Sequence, residues 1–296
     1  MMKKIEENIL YETITPRKSN THKGDYGKIL LIGGNINFGG ALIMSAEGAL
    51  GAGAGLICAA THSINVASLH ARDPEIMYVD WRDEQNLSKL IPQMDVIVCG
   101  MGMGIDAGAQ KILQLVKATV TNNQIVVLDA SALDIIATDT SVIAHQAKKI
   151  IITPHQIEWQ RLSNIRVQYQ NDSANQTALN GLFPQKNCIL VLKSNKTKIY
   201  DQFGNILENP LGNPGMATGG CGDTLSGIIG GICGQFGGEL NAVASAVYLH
   251  SLAGDIIYRK NYIVRPTAIS ALLPQLLKKY EYNLSLIHIS EPTRRS

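Results

Sequence analysis

Residues 212–223 read Gly212-Asn213-Pro214-Gly215-Met216-Ala217-Thr218-Gly219-Gly220-Cys221-Gly222-Asp223, with five glycines in eleven residues before a carboxylate. An apolar stretch at 225–233 follows and has the composition of a buried helix. Glycines let a backbone turn its N–H groups inward, and the N-terminus of a helix adds a partial positive charge. The segment therefore predicts a site for phosphate, with Asp223 close enough to accept a proton. The alternative is a tight connection into a helix without a ligand.

The composition bounds the class of protein. The chain has 296 residues, 45% hydrophobic and 17% charged, with a net charge of +2. This supplies a substantial core and argues against nucleic acid or an anionic membrane as a partner. Five scattered cysteines favour reduced thiols in a cytoplasmic protein over a disulfide framework, and no Cys-x-x-Cys pair indicates zinc.

The two ends of the chain are not expected to add a functional element. The charged N-terminus does not resemble a secretory signal, and no run of about 18 apolar residues predicts a membrane span. Residues 284–296 resemble the translated read-through of a sequencing adapter, so we treat them as a non-native or disordered tail. A natural, loosely ordered tail is the alternative.

Short β-branched segments alternate with helix-period segments along the chain. Continuous apolar strands alternating with helices predict a parallel sheet that is covered on both faces. We therefore expect an α/β fold, a single three-layer αβα domain over residues 1–283 with a central, mostly parallel sheet. The expected strands are 28–32, 56–60, 95–99, 125–128, 149–152 and 188–192, followed by a hairpin at 197–200 and 206–208.

Polar and glycine-rich residues follow these strands where each one ends. Ligands on such sheets bind beyond the carboxyl ends of the strands, so the pattern indicates one crevice. The residues are Gly33-Gly34, Gly100 to Gly104, Asp129, His155, Lys193 and the loop before Asp223.

Several of these residues have two interpretations. Asp129 could orient a hydroxyl or a metal-held water, or it could cap the next helix. His155 could hydrogen-bond a ligand or be a turn residue. Lys193 could meet a nucleotide phosphate or be solvated. The small residues near Ala41 and in the segment 100–104 could admit a ligand or only pack a helix on the sheet.

Other chemistries lack their sequence signals. The spacing Gly-x-Gly-x-Gly at 100–104 is not a dinucleotide fingerprint. No Gly-x-Ser-x-Gly nucleophile elbow occurs, no lysine completes a Walker A loop, and no histidine lies near Cys221 in sequence. Phosphoryl chemistry would depend on backbone N–H groups, a metal ion and Asp223.

Taken in order, the segments resemble the ADP- or ATP-dependent NAD(P)H-hydrate dehydratases, a family with a ribokinase-like domain. The resemblance covers about residues 20 to 280. Segment 212–223 is the most specific match, because it differs from the family's GNPGMATGGTGD only at Cys221. The other matching segments are His22 to Lys28, Ser45 to Leu56, Pro74 to Met77, Val127 to Leu133, Thr153 to His155 and Leu249 to Asp255.

The departures from the family pattern leave Asp223 and His155 in place. A thiol at 221 keeps the backbone donors but weakens a hydroxyl contact to phosphate. The departures are Cys221 for Thr, Gln156 and Ile157 for Pro and Gly, Ser131 for the second Asp of "DAD", Ser194 for the Gly of "LKG", and Ala268-Ile269-Ser270 for "aSDl".

The resemblance implies an enzyme that phosphorylates the hydroxyl of hydrated NAD(P)H, acting on the S epimer, and then eliminates phosphate. ADP is the expected phosphoryl donor, giving AMP and phosphate, with ATP the alternative and Mg²⁺ the expected metal ion. The metal ligands are unassigned. Asp223 would be the general base. The residues implied in the dinucleotide pocket are Ala41, Gly102, Gly104, His155 and Asp223, and those around the nucleotide are Lys193, Ser194, Asn195, Lys196, Thr197, Gly219, Gly220, Cys221 and Gly222.

The resemblance also implies an epimerase that works with this enzyme, and a homotetramer. Two other functions stay open. One is a kinase of the same fold, acting on a vitamin precursor or a sugar. The other is a nucleotide sensor without catalysis. A stable phosphorylated product would indicate the kinase, and ADP binding without turnover would indicate the sensor.

Overall fold

The computed structural model of the chain describes residues 2–281, and the tail expected at 284–296 lies outside the described residues. The strands are β1 (Met2–Lys4), β2 (Lys28–Ile32), β3 (Leu56–Thr61), β4 (Met77–Asp80), β5 (Val96–Cys99), β6 (Ile125–Leu128), β7 (Lys149–Ile152), β8 (Cys188–Leu192), β9 (Lys198–Tyr200) and β10 (Ile206–Glu208). The helices are α1 (Asn8–Thr13), α2 (Gly39–Gly51), α3 (Val66–Arg72), α4 (Glu84–Leu90), α5 (Ala107–Thr119), α6 (Ser131–Thr138), α7 (Gln156–Ser163), α8 (Asp172–Leu182), α9 (Cys221–Phe236), α10 (Leu240–Tyr258) and α11 (Pro266–Tyr280).

Within residues 2–281, the strands form one sheet in the order β1-β10-β9-β8-β7-β6-β5-β2-β3-β4. Strand β9 runs antiparallel to both of its neighbours, and the other pairs are parallel. The prediction of a central, mostly parallel sheet is confirmed. The carboxyl ends of the parallel strands therefore lie on one edge, where ligands of such sheets bind.

The buried side chains form a core on each face of the sheet. In β2, Ile29 and Leu31 pack in one core, and Leu30 and Ile32 pack in the other. This alternation follows from the two-residue period of a strand. Helices α1, α2, α3, α9, α10 and α11 cover the first face, and α4 to α8 cover the second. The expected three-layer αβα arrangement results.

Two of the strands were not expected from the sequence. Strand β1 is exposed along its length and contains two lysines, and β4 lies at an edge of the sheet with its residues only partly covered. Neither strand has the continuous apolar run by which the central strands are recognised. The strands that end at the crevice are not affected, because they were expected from the sequence.

Close packing of α2 against α9 fixes the position of the α9 N-terminus. A Cβ atom at Gly227 would lie 1.8 Å from the Ser45 carbonyl oxygen, and one at Gly48 would lie 2.5 Å from the Thr224 carbonyl oxygen. Any side chain at these two positions would push the helices apart. Glycine is therefore required for α9 to begin where it does, at the edge that holds the strand ends.

One helix in the described part of the chain, α10, has the length and apolar composition of a membrane-crossing helix. Two-thirds of it (67%) is buried inside the protein, with Val243, Val247 and Leu249 in the first core. A buried core helix has the same composition, so a single helix of this kind is a weak indication of a membrane span.

Candidate active site

The N-terminus of α9 presents backbone donors that have no acceptor. Gly220 caps the helix with a φ of 97°, and a Cβ there would lie 2.2 Å from the Met44 sulfur. The amide groups of Gly219, Gly220 and Gly222 make no hydrogen bond to any residue in the range 2–281. We call residues 219–222 the anion cradle. Free amides at a helix N-terminus are suited to bind phosphate.

Asp223 lies in the first turn of α9, directly after the anion cradle. Burial raises its pKa to about 6, repulsion from Asp129 and Glu158 adds to this, and Lys193 opposes it. The carboxylate forms no ion pair with another described residue. A carboxylate with this pKa is mostly ionised at neutral pH and is a stronger base than an exposed one, which suits proton abstraction.

A partly buried lysine lies beside the anion cradle. The Lys193 ammonium is 2.8 Å from Asp129 Oδ1 and 4.0 Å from Glu158 Oε2, and a Cβ at Gly222 would lie 3.3 Å from it. Burial alone would lower the Lys193 pKa, but the two carboxylates overcome this and the pKa stands above its usual value. The ammonium is therefore charged, and it is engaged by protein rather than by solvent.

This ion pair decides between the interpretations of Asp129. Helix α6 has Ala130 at its N-cap and no side-chain cap, so Asp129 does not cap it. Asp129 is 1% exposed and accepts hydrogen bonds from Lys193 and from the Ala130 amide. No role was expected for Glu158, which also faces Lys193. Burial raises the Glu158 pKa, with Lys193 lowering it and Asp129 raising it.

His155 is the N-cap of α7. Its Nδ1 accepts hydrogen bonds from the Ile157 and Glu158 amides, and the Glu158 carboxylate accepts one from the His155 amide. The ring proton of a neutral imidazole must then be on Nε2. The ring is half-exposed, and residues 155 and 193 pair between neighbouring strand ends. His155 thus has a structural role, and its Nε2 lies 3.5 Å from Glu158 Oε1, a carboxylate that also faces Lys193.

The small residues expected in the dinucleotide pocket meet beyond β2 and β5. The Gly34 and Asn35 amides donate to the carbonyls of Met101 and Gly102, which joins the two loops. Gly102 has a φ of 60°, and a Cβ there would lie 3.0 Å from the Ala41 Cβ. Next along the loop, the Gly104 amide donates to Ser131 Oγ at 3.0 Å. Ser131, a departure from the family pattern, thus supports this loop.

One cavity in the described residues, which we call the main cavity, has a volume of about 710 Å³. That volume is within the range of small-molecule sites. Lys193 to Thr197 form one wall, and Cys221 and Gly222 lie at its end. Gly219, Gly220 and Asp223 do not line it, and neither do the four other residues expected in the dinucleotide pocket, Ala41, Gly102, Gly104 and His155.

Two departures from the family pattern lie at the main cavity. Ser194 Oγ donates to the Lys196 carbonyl at 2.7 Å and accepts from its amide, and these two hydrogen bonds tighten the loop. Cys221 Sγ is 3.3 Å from Thr218 Oγ1, within hydrogen-bonding distance. Burial raises the pKa of the Cys221 thiol, so it is neutral.

Another part of the lining of the main cavity was not assigned to the nucleotide from the sequence. It contains His250 and Ser251 of α10 and residues 210–214. Burial lowers the pKa of His250 to about 4, and its Nε2 has no hydrogen-bond partner among residues 2–281. The segments 212–223 and 249–255 were identified in the sequence, but no contact with the nucleotide was expected from residues 212–214 or from His250 and Ser251.

Comparison with known proteins identifies the same family as the sequence motifs. The family described as NAD(P)H-hydrate dehydratase matches residues 29–275. An ADP-dependent (S)-NAD(P)H-hydrate dehydratase of Enterococcus faecalis is 43% identical over 279 residues, which cover 94% of each chain.

Two solved structures have a similar fold. A ribokinase-like superfamily protein of Enterococcus faecalis has a TM-score of 0.90 at 42% identity, covering 95% of this chain and 97% of that one. An ADP/ATP-dependent NAD(P)H-hydrate dehydratase of Bacillus subtilis, co-crystallised with ATP and Mg²⁺, has a TM-score of 0.79 at 26% identity, covering 92% and 96%. The ribokinase-like fold is confirmed, and this chain belongs to the NAD(P)H-hydrate dehydratase family.

Proposed function

We propose that this chain dehydrates the S epimer of hydrated NAD(P)H to NAD(P)H, at the expense of ADP, which yields AMP and phosphate. One observation carries the proposal. The unpaired amides of the anion cradle and the carboxylate of Asp223, which forms no ion pair with another described residue, are adjacent at the start of α9, where Cys221 and Gly222 line the main cavity. This arrangement supports a phosphate site beside a base at the border of the cavity.

The chemistry has two steps. Hydroxide is a poor leaving group, so the ring hydroxyl is first phosphorylated. Asp223 takes its proton, the hydroxyl oxygen bonds to the β-phosphorus of ADP, and the bond from that phosphorus to the bridging oxygen breaks to release AMP. The lone pair of the ring nitrogen then expels phosphate, and loss of a proton from the neighbouring carbon restores NAD(P)H.

The protein supplies positive charge to the transferring phosphoryl group. The amides of Gly219, Gly220 and Gly222 and the partial charge of the α9 N-terminus would stabilise it. Lys193 adds a full charge beside Gly222, held in place by Asp129. Asp129 holds this ammonium in place, so we propose that it acts as a fixed positive charge beside the phosphates of the nucleotide.

The residues present could hold Mg²⁺ together with the phosphates of a bound nucleotide, but not alone. No group of three or more His, Cys, Asp or Glu side chains in residues 2–281 is arranged to hold a metal ion alone. Mg²⁺ commonly binds through one or two carboxylates and the phosphates of a substrate, and Asp129 and Glu158 are oxygen donors of the right kind. When bound, the ion would neutralise phosphate charge.

We assign the nucleotide to the main cavity. We assign the dinucleotide to the region beyond β2 and β5 that contains Ala41, Gly102 and Gly104, with His155 at its border. Asn195, Lys196 and Thr197 would contact the nucleotide from the wall of the main cavity. Both epimers of the hydrate form, so we also propose a functional partnership with an epimerase. A homotetramer and a cytoplasmic location complete the proposal.

The test is an assay of hydrated NADH with the purified chain, supplied with ADP or with ATP. We expect the near-ultraviolet absorbance of reduced nicotinamide to return with ADP, and phosphate to be released in equal amount. No absorbance should return without nucleotide. A stable phosphorylated product would contradict the proposal in favour of a kinase, and ADP binding without turnover would contradict it in favour of a sensor.

A further inference from the structure

The face of α10 that lines the main cavity also holds the loop on which the cavity depends. His250 and Ser251 line the cavity directly, and Ser251 Oγ accepts a hydrogen bond of 2.8 Å from Asn209 Nδ2. Asp255, one turn further along, does not line the cavity. It belongs to the segment 249–255, to which the proposed function gives no role.

Asp255 makes two hydrogen bonds to the glycine-rich segment. Its Oδ1 accepts from Asn213 Nδ2 at 2.7 Å, and its Oδ2 accepts from the Gly212 amide at 3.3 Å. Gly212 and Asn213 both line the main cavity. Gly212 has a φ of 129°, which a residue with a side chain rarely adopts, so glycine is required where the Asp255 carboxylate accepts the backbone N–H.

Close packing brings the glycine-rich segment against α10. A Cβ at Gly254 would lie 2.5 Å from the Met216 sulfur, and one at Gly215 would lie 2.5 Å from Tyr258 Cδ2. These contacts are apolar and have no direction of their own. The carboxylate of Asp255 is the polar contact that sets the register of residues 212–216 along the helix, because hydrogen bonds require a defined geometry.

We propose that Asp255 is a positioning residue for the nucleotide. It acts through Gly212 and Asn213, and it keeps the wall of the main cavity in the shape that binds ADP. The inference rests on the proposed function, since it takes the occupant of the main cavity to be the nucleotide. It predicts an effect on ADP alone, because the residues assigned to the dinucleotide lie outside this cavity.

The first test is the variant Asp255→Ala, measured by calorimetric titration with ADP. We expect the Kd of ADP to rise about tenfold or more, since two hydrogen bonds to a charged group are lost. The KM for the hydrated dinucleotide should stay as in the wild type. Glu239→Gln, at the start of the same helix and outside the cavity, is the matched control and should leave both values unchanged.

The second test exchanges the two side chains. Asn213→Asp alone places two carboxylates together and should weaken ADP binding. Adding Asp255→Asn restores both contacts, because the new amide donates to the new carboxylate while its oxygen accepts the Gly212 N–H. We expect the double variant to recover most of the ADP affinity that the single variant loses, as coupled residues do. Thermal unfolding of each variant shows whether it is folded.

The outcomes separate the two proposals. If the wild type binds ADP and regenerates NADH, but the folded Asp255→Ala variant binds ADP equally well, only the positioning role is contradicted. A double variant no better than Asn213→Asp alone also contradicts it. If the wild type binds no ADP, the proposed function fails and the positioning role fails with it.

Discussion

Replacing Asp223 by asparagine is expected to lower turnover by about 10²-fold or more, which is the usual contribution of a general base. The amide cannot accept the hydroxyl proton, but it has nearly the same shape, so the helix N-terminus should be kept. The Kd of ADP should not rise, because the variant removes a negative charge beside the phosphate. Single-turnover kinetics with hydrated NADH and ADP would measure the loss.

The pH dependence of wild-type activity is a second test of the Asp223 carboxylate as the base. A base must be deprotonated, and the pKa of Asp223 is raised to about 6. We therefore expect kcat/KM to fall about tenfold per pH unit below this value and to level off above it.

The matched control for Asp223→Asn is Asp134→Asn. Asp134 lies in the first turn of α6 and pairs with Arg161, so its replacement should leave turnover unchanged. Near-normal turnover of Asp223→Asn would contradict its role as the base.

Replacing Lys193 by methionine is expected to lower the free energy of unfolding by about 3 kcal/mol or more, the usual cost of removing one partner from a buried ion pair. The change strands two buried carboxylates, Asp129 and Glu158, which are 1% and 7% exposed. Urea denaturation of wild type and variant at neutral pH would measure the difference.

Lys149→Met is the matched control, because Lys149 is a lysine of strand β7 that is paired with the exposed carboxylate of Glu239. It should cost about 0 to 1 kcal/mol. Acid should relieve the destabilisation of Lys193→Met. Glu158 already has a raised pKa, so its folded state binds a proton more readily than the unfolded state, and the unpaired charge disappears as the pH falls. Equal losses in the two variants would contradict a buried pair at Lys193.

The sheet could be predicted from the sequence because its central strands are buried on both faces. A strand such as Val96–Cys99 or Ile125–Leu128 is a continuous apolar run ending at a glycine or a carboxylate, and this pattern marks both the strand and its functional end. Strand β1 has no such pattern, since its residues are exposed. Its place beside β10 depends on long-range pairing that a local segment does not encode.

The contacts in the site could be predicted only in part. Placing Asp129, His155 and Lys193 at strand ends required only the order of apolar runs. Pairing Lys193 with Asp129, 64 residues apart, required the order of the strands in the sheet. The hydrogen bonds of Asp255 are similar, because Gly212 is 43 residues away and Asp255 lies in α10. Residue type alone marked these groups as polar and did not show their partners.

The measurement that tests the account most directly is a crystal structure of the chain with ADP and Mg²⁺. The account predicts oxygens of the β-phosphate within about 3.2 Å of at least two of the amide nitrogens of Gly219, Gly220 and Gly222, with the Asp223 carboxylate beside that phosphate. A β-phosphate bound elsewhere, with these amides facing away from it, would contradict the account.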